Sequence, residues 1–199
     1  MRSDGTSKPR RRRRPVAALA IAGLCATAVA GCGSTGSDAG GTTHRAADVA
    51  AALDAVRSGH CPAQVPDQPA SDVGTDSELL KPIVPDRLLL CGYVPEQTPI
   101  RTLVRGQAVV TDAALLRRLR SEIDQLKSFP SGPIRCPDDT GGNLLEIYTD
   151  GHHVLELIET LTGCTSVSDG AHLRWAGPSD VGQTVVALLP AQFRRAIGH

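Results

Sequence analysis

The chain has 199 residues with 21 basic and 21 acidic side chains, but its zero net charge hides a segregation. Residues 1–31 carry seven Lys/Arg against one acid, Asp4, whereas residues 32–199 carry 14 basic and 20 acidic residues, a net −6. An acidic body of this length has room for one domain with a real core. It excludes a nucleic-acid binder, which needs a basic face to displace phosphate counterions, and five aromatic residues are too few for a base-stacking platform.

Residues 1–31 read as a targeting segment. Arg10 to Arg14 form a positive run, and Val16 to Ala30 is uncharged and rich in Ala, Val, Leu and Ile. As a helix this stretch rises about 22 Å, short of a hydrocarbon core of roughly 30 Å, so a permanent span is the weaker reading. It ends in Val29-Ala30-Gly31-Cys32, which resembles the lipobox of bacterial lipoprotein precursors. In that motif the cysteine thiol is alkylated by a diacylglyceryl group and the peptidase cuts just before it. Cys32 is therefore the expected lipidation site, residues 1–31 the expected signal peptide, and the membrane the expected partner through the lipid. A plain secretory signal followed by a chance cysteine is the alternative. The arginine run leaves the twin-arginine route open beside the general one.

Export sets how the remaining cysteines read. Cys25 leaves with the signal and Cys32 takes the lipid, so Cys61, Cys91, Cys136 and Cys164 remain. An even count in an oxidising compartment implies two disulfides with three possible connectivities. None lies in a Cys-x-x-Cys or a spaced Cys/His pattern, so no structural zinc site is expected.

Residues 32–43 are rich in Gly, Ser and Thr and read as a flexible tether, leaving residues 44–199 as one extracytoplasmic domain. Val49, Ala52, Ala55 and Val56 mark a modest amphipathic helix over Asp48–Arg57. Five prolines between Cys61 and Asp86 make that segment a wrapping loop, and a Cys61–Cys91 bridge would restrain it. Arg87–Val94 reads as a buried strand bounded by Pro85 and Pro95, and Arg101–Thr111 as extended chain broken at Gly106. Thr111 is the expected N-cap of a helix in which Leu115, Leu116, Leu119, Ile123 and Leu126 share a face, running to about Ser128. Arg117, Arg118 and Arg120 read as its solvated side rather than a phosphate site, because Glu122 and Asp124 lie among them.

Asp150-Gly151 between Leu144–Thr149 and His152–Leu161 is a strong hairpin signal. Plausible turns pair residues whose numbers sum to 300–302, which brings Cys136 close to opposite Cys164 and leaves Cys61 with Cys91. A second turn at Ser168–Ala171 continues the meander, and Ser179 is the expected cap of a last helix interrupted near Pro190. No internal repeat is evident. The expected fold is α+β: an antiparallel meander of about four to six strands packed by one main helix, with two disulfides.

The chemistry motifs are weak. Asp139-Thr140-Gly141 is the tripeptide of aspartic proteases, but no second copy exists and Cys136-Pro137-Asp138 precedes it in place of apolar residues. His152 and His153 are adjacent, so on a strand they would face opposite ways and would not chelate one metal. Asp138, Asp139, Asp150 and Asp169 lie in loops at a spacing that matches no calcium motif. No nucleophile elbow, metalloprotease helix, P-loop or dinucleotide fingerprint occurs. No catalytic residue, metal ligand or cofactor is assigned.

From Cys61 to Trp175 the chain resembles a group of small exported proteins and lipoproteins of actinomycetes. The landmarks are Leu90-Cys91-Gly92-Tyr93, Gly106 to Asp112 leading into a Leu-rich helix, Cys136-Pro137-Asp138-Asp139, Tyr148-Thr149-Asp150-Gly151 and Gly163-Cys164. Only three of the 21 basic residues are Lys, consistent with a GC-rich genome. These landmarks are structural, and the resemblance implies no catalytic residue. The expected function is a membrane-anchored, non-catalytic binding or interaction module for an envelope protein or small molecule. The alternative is a hydrolase acting on envelope material.

Overall fold

A computed structural model describes residues 39–74, 78–97, 100–139, 141–177 and 179–198, all within the compact unit Ser37–His199. The expected signal peptide, Cys32 and most of the expected tether lie outside the described residues. No described helix is long and apolar enough to cross a membrane.

The fold is α+β, and the described residues form seven strands in one antiparallel sheet rather than four to six, and four helices. The strands are β1 (Arg87–Gln97), β2 (Ile100–Val110), β3 (Lys127–Ser128), β4 (Asn143–Thr149), β5 (Val154–Thr160), β6 (Ser166–Ser168) and β7 (Leu173–Trp175), in the order β2-β1-β4-β5-β6-β7-β3. The helices are α1 (Ala39–Ser58), α2 (Ala113–Asp124), α3 (Val181–Ala187) and α4 (Ala191–Ala196).

β1 is the reason the sheet is covered on both faces. It lies between β2 and β4, and a central strand buries both sides, so its Leu88-Leu89-Leu90-Cys91 run does not alternate. Leu88 and Leu90 join Leu144, Tyr148, Leu155 and Leu157 under α2, α3 and α4. Leu89, Cys91 and Tyr93 join Leu145 and Ile147 under α1. One main helix on one face is therefore corrected to helices on both. Pro95 does not end β1. Pairing with β4 stops at Tyr93–Asn143, so Pro95 has only β2 beside it, an edge position that tolerates a missing N–H.

A bulge at Arg105 separates the pairs Gly92–Gly106 and Tyr93–Val104. The two facing glycines form a notch for the Phe193 ring of α4. A Cβ on Gly92 would lie 2.5 Å from Phe193 Cε2, and one on Gly106 2.9 Å from Phe193 Cβ. Both glycines are thus required by close packing.

Several boundaries differ from expectation. α1 begins at Ala39 instead of Asp48, because Ala46, Ala47, Ala50 and Ala51 favour helix propagation. Its buried side is the expected one, Ala52, Ala55 and Val56. Asp112, not Thr111, caps α2, its carboxylate accepting from Leu115 N at 2.8 Å. α2 stops at Asp124 because Lys127–Ser128 pairs with β7. Arg120 is not simply solvated: it donates to the carbonyls of Leu80 and Lys81 at 3.2 and 3.0 Å. Ser179 caps no helix, its hydroxyl donating instead to Ala176 O at 2.8 Å.

Both disulfides join the expected partners, Cys61–Cys91 and Cys136–Cys164, with Cα–Cα separations of 5.6 and 4.9 Å. The hairpin register is not the expected one. β4 and β5 pair Asn143–Thr160 through Thr149–Val154, leaving a four-residue turn, Asp150–His153, and a residue-number sum of 303. The turn lengthens because Asp150 Oδ1 accepts from His152 N and His153 N at 2.9 and 2.8 Å. The loop Cys61–Asp86 wraps as expected and buries Leu79, Leu80 and Ile83.

Candidate functional site

The turns β4–β5 and β6–β7 lie at the same end of the sheet, since both hairpins run up and back in one meander. They are near copies. In each, the Ser/Thr hydroxyl accepts from the glycine N at 3.0 Å: Thr149 from Gly151, and Ser168 from Gly170. Asp150 Oδ1 accepts from two backbone N–H groups, and Asp169 Oδ1 does the same for Ala171 and His172. Each second oxygen accepts from a histidine Nδ1 at 3.1 Å, His153 or His172. Gly151 and Gly170 have φ of 89° and 87°, which glycine alone adopts without strain. The shared pattern Ser/Thr-Asp-Gly-x-His is visible in the sequence but easily read as two unrelated turn signals.

These contacts correct the placement of His152 and His153, which sit in the turn and not on β5. Backbone donors, chiefly His153 N, bring the Asp150 carboxyl down to about 2, and the Asp150 carboxylate raises the His153 imidazole. Asp139 is elsewhere, accepting from Thr162 Oγ1 at 2.6 Å and Gly141 N at 2.7 Å. Those bonds hold it below the usual carboxylate range. Asp139, Asp150 and Asp169 each close a local turn, and among the described residues no three His, Cys, Asp or Glu gather as a metal site.

At the turn end a groove of about 680 Å³ opens. Its wall is Gln68–Gly74, held on β5 by a single antiparallel bridge, Ser71–Leu155. Glu156 N donates to Ala70 O at 2.8 Å, Asp72 N to Val154 O at 3.3 Å, and Val154 N to Asp72 Oδ1 at 2.7 Å. Arg45 and Asp48 of α1 line one side, Asp169–Ala171 the other, with Leu79 and Leu155 at the base. Pro69 packs on Gly170, where a Cβ would be 3.2 Å from its Cδ.

Behind the wall, Glu156 is buried, with Oε2 accepting from Ala70 N at 2.8 Å. Burial pushes its carboxyl up to about 7, nearby Asp48 adds to the rise, and the Ala70 bond opposes it. On the same face Tyr93 Oη donates to Pro62 O at 2.9 Å and is raised by burial.

On the other face, Glu146 and Glu159 lie on adjacent strands, 0% and 1% exposed. Tyr148 Oη donates to Glu146 Oε2 at 2.5 Å, the two carboxyls hydrogen-bond each other, and among the described residues nothing else bonds Glu146 Oε1 or Glu159 Oε2. Burial raises Glu146 to about 7 and Glu159 well above its ordinary range, each acting on the other. A cavity of about 140 Å³ reaches Glu159 of β5, walled by α3 and by residues around Thr165 and Gly177. Sequence reading passed over this pair because alternation assigns a lone strand Glu to solvent. The signal was the apolar neighbourhood of Leu144-Leu145-Glu146-Ile147-Tyr148.

No family model, curated protein or solved structure matches the chain.

Proposed function

We propose that this is a lipid-anchored lipoprotein of the extracytoplasmic membrane face whose domain is a non-catalytic binding module, and that the turn-end groove is its ligand surface. The observation that carries the reading is the groove itself. Three distant segments, α1, Gln68–Gly74 and Asp169–Ala171, converge on it. It mixes polar groups on Arg45, Asp48, Gln68 and Ser71 with apolar surface on Pro69, Val73 and Leu155, the composition of a recognition site. Ser71 Oγ donates to Val73 O at 3.0 Å, and no base among the described residues hydrogen-bonds it. The Val29–Cys32 motif supports the anchor, and the likeness in landmark order to small exported actinomycete lipoproteins fits the same reading.

The test is affinity capture from envelope extract with the full chain and with Ala171→Trp, which fills the groove from an exposed position. Specific capture by the wild type that disappears in the variant at unchanged melting temperature is the expected result. Capture that the variant leaves intact overturns the assignment of the groove.

The hydrolase alternative draws on one observation, the paired carboxyls of Glu146 and Glu159, since acid–base hydrolysis uses such pairs. Both are almost wholly enclosed, which favours binding over turnover of a polymer. Hydrolysis of envelope material by the wild type, abolished in Glu159→Gln, would reverse the order of the two readings.

A further inference from the structure

Groove binding makes no use of the Glu146–Glu159 pair. Two buried carboxyls that hydrogen-bond each other are costly in an apolar core. Glu146 accepts from the buried Tyr148 hydroxyl, whereas Glu159 lies against a cavity. That cavity of about 140 Å³ amounts to roughly four or five water volumes. Leu161 and Val186 give it an apolar wall; Thr165, Ser179 and Gln183 give it a polar one. The Ser179 hydroxyl proton is already directed at Ala176 O, so its oxygen is left to accept. Gly182 of α3 brings backbone against the carboxyl, where a Cβ would stand 2.8 Å from Glu159 Oε1. No basic side chain is among the lining residues.

We propose that this cavity binds a short primary alkylammonium group, with its N–H donors on Glu159, Thr165 and Ser179 and its carbon chain against Leu161 and Val186. The chemistry selects the class. An anion finds no basic side chain among the described lining residues, and a hard metal ion needs six or more oxygen ligands, which the apolar wall does not supply. An ammonium group has three donors, matching the acceptors present. Burial favours the protonated form of both carboxyls. The entering cation takes the place of one proton, which passes to solvent, so charge is conserved. The titratable groups facing the pair are Tyr148 from β4, which bonds Glu146, and Asp124 of α2, which acts on Tyr148. β6 and α3 contain no ionisable side chain.

Trp175, the sole tryptophan, reports on the site, because its Nε1 lies against Gly177 in the cavity lining. The experiment titrates the full chain with ethylammonium chloride at pH 7 and constant ionic strength, by fluorescence and by calorimetry in two buffers of different ionisation enthalpy. Saturable binding with release of up to one proton is expected. Glu159→Gln should bind at least tenfold more weakly and release none. Gly182→Ala keeps both carboxyls, narrows the cavity, and should also bind at least tenfold more weakly. Tetramethylammonium, which has no N–H, should not compete. Tighter binding of Nα-acetyl-lysine amide than of ethylammonium would identify a partner's lysine side chain as the source, and the reverse order a free amine. Absence of saturable binding to the wild type, undiminished binding in Glu159→Gln or Gly182→Ala, or equal competition by tetramethylammonium overturns the proposal. If Glu159→Gln does not fold, Gly182→Ala and the wild-type proton count decide alone.

Discussion

Replacing Glu156 by Gln isolates one buried carboxyl behind the groove. The amide keeps an oxygen to accept from Ala70 N, so the wall stays tied while the ionisable group is lost. In the wild type burial raises this carboxyl from 4.5 to about 7. Below about pH 4.5 both folded and unfolded chains hold the proton, and its stabilising contribution is fully present. Between about 4.5 and 7 only the folded chain holds it, so stability falls as pH rises, and above about 7 the contribution is gone. A rise of this size is worth about 3 kcal/mol at ~1.36 kcal/mol per pH unit. Glu146 and Glu159 also titrate upward, but they do so in both proteins and cancel in the difference. Glu156→Gln should therefore gain about 3 kcal/mol on the wild type between pH 4.5 and 8, or roughly 6–12 °C in relative melting temperature for a domain of this size. Urea and thermal unfolding of both proteins at pH 4.5, 6 and 8 measure it. A stability difference that stays constant to within about 0.5 kcal/mol across that range would refute a buried, proton-holding Glu156.

Gly92→Ala should destabilise the domain by about 1–3 kcal/mol through its clash with Phe193, and Phe193→Leu should recover part of the loss in a double-mutant cycle followed by urea unfolding. Replacing Cys61 and Cys91 together by Ser should cost about 3.5 kcal/mol, the chain-entropy value for a loop of some 30 residues, and non-reducing peptide mapping should still recover Cys136–Cys164; recovery of Cys91 joined to Cys136 from the wild type would refute the pairing. Cys32→Ala should abolish lipid labelling and impair maturation, and unchanged labelling would rule out Cys32 as the acceptor. Asp139→Asn, Asp150→Asn and His153→Ala should shift the melting temperature modestly and abolish no activity, because each closes a local turn; loss of a hydrolytic activity at unchanged melting temperature would contradict that assignment.

Local and near-local signals were legible in the chain. The Leu116–Leu119–Ile123 stripe, the proline-dense loop, both Asp-Gly turns and the two disulfide pairs all follow from short-range periodicity, turn chemistry and spacing. Even the pairing of Cys136 with Cys164 survives a hairpin register that differs from the expected sums, because a bridge beyond a strand end tolerates a slip of a residue or more. What the tertiary structure alone decided were the features that depend on what lies across a gap. Asp150 lengthened its turn by capturing backbone N–H groups that a two-residue loop would not present. Gly92 and Gly106, fourteen residues apart, acquire their purpose only when a bulge sets them opposite one another beneath Phe193. In a half-covered sheet either Glu156 on one face or Glu146 and Glu159 on the other would meet solvent. They are buried because helices or loop segments cover both faces, and whether a strand side chain meets water or another layer is set by that second layer, not by the strand's own pattern.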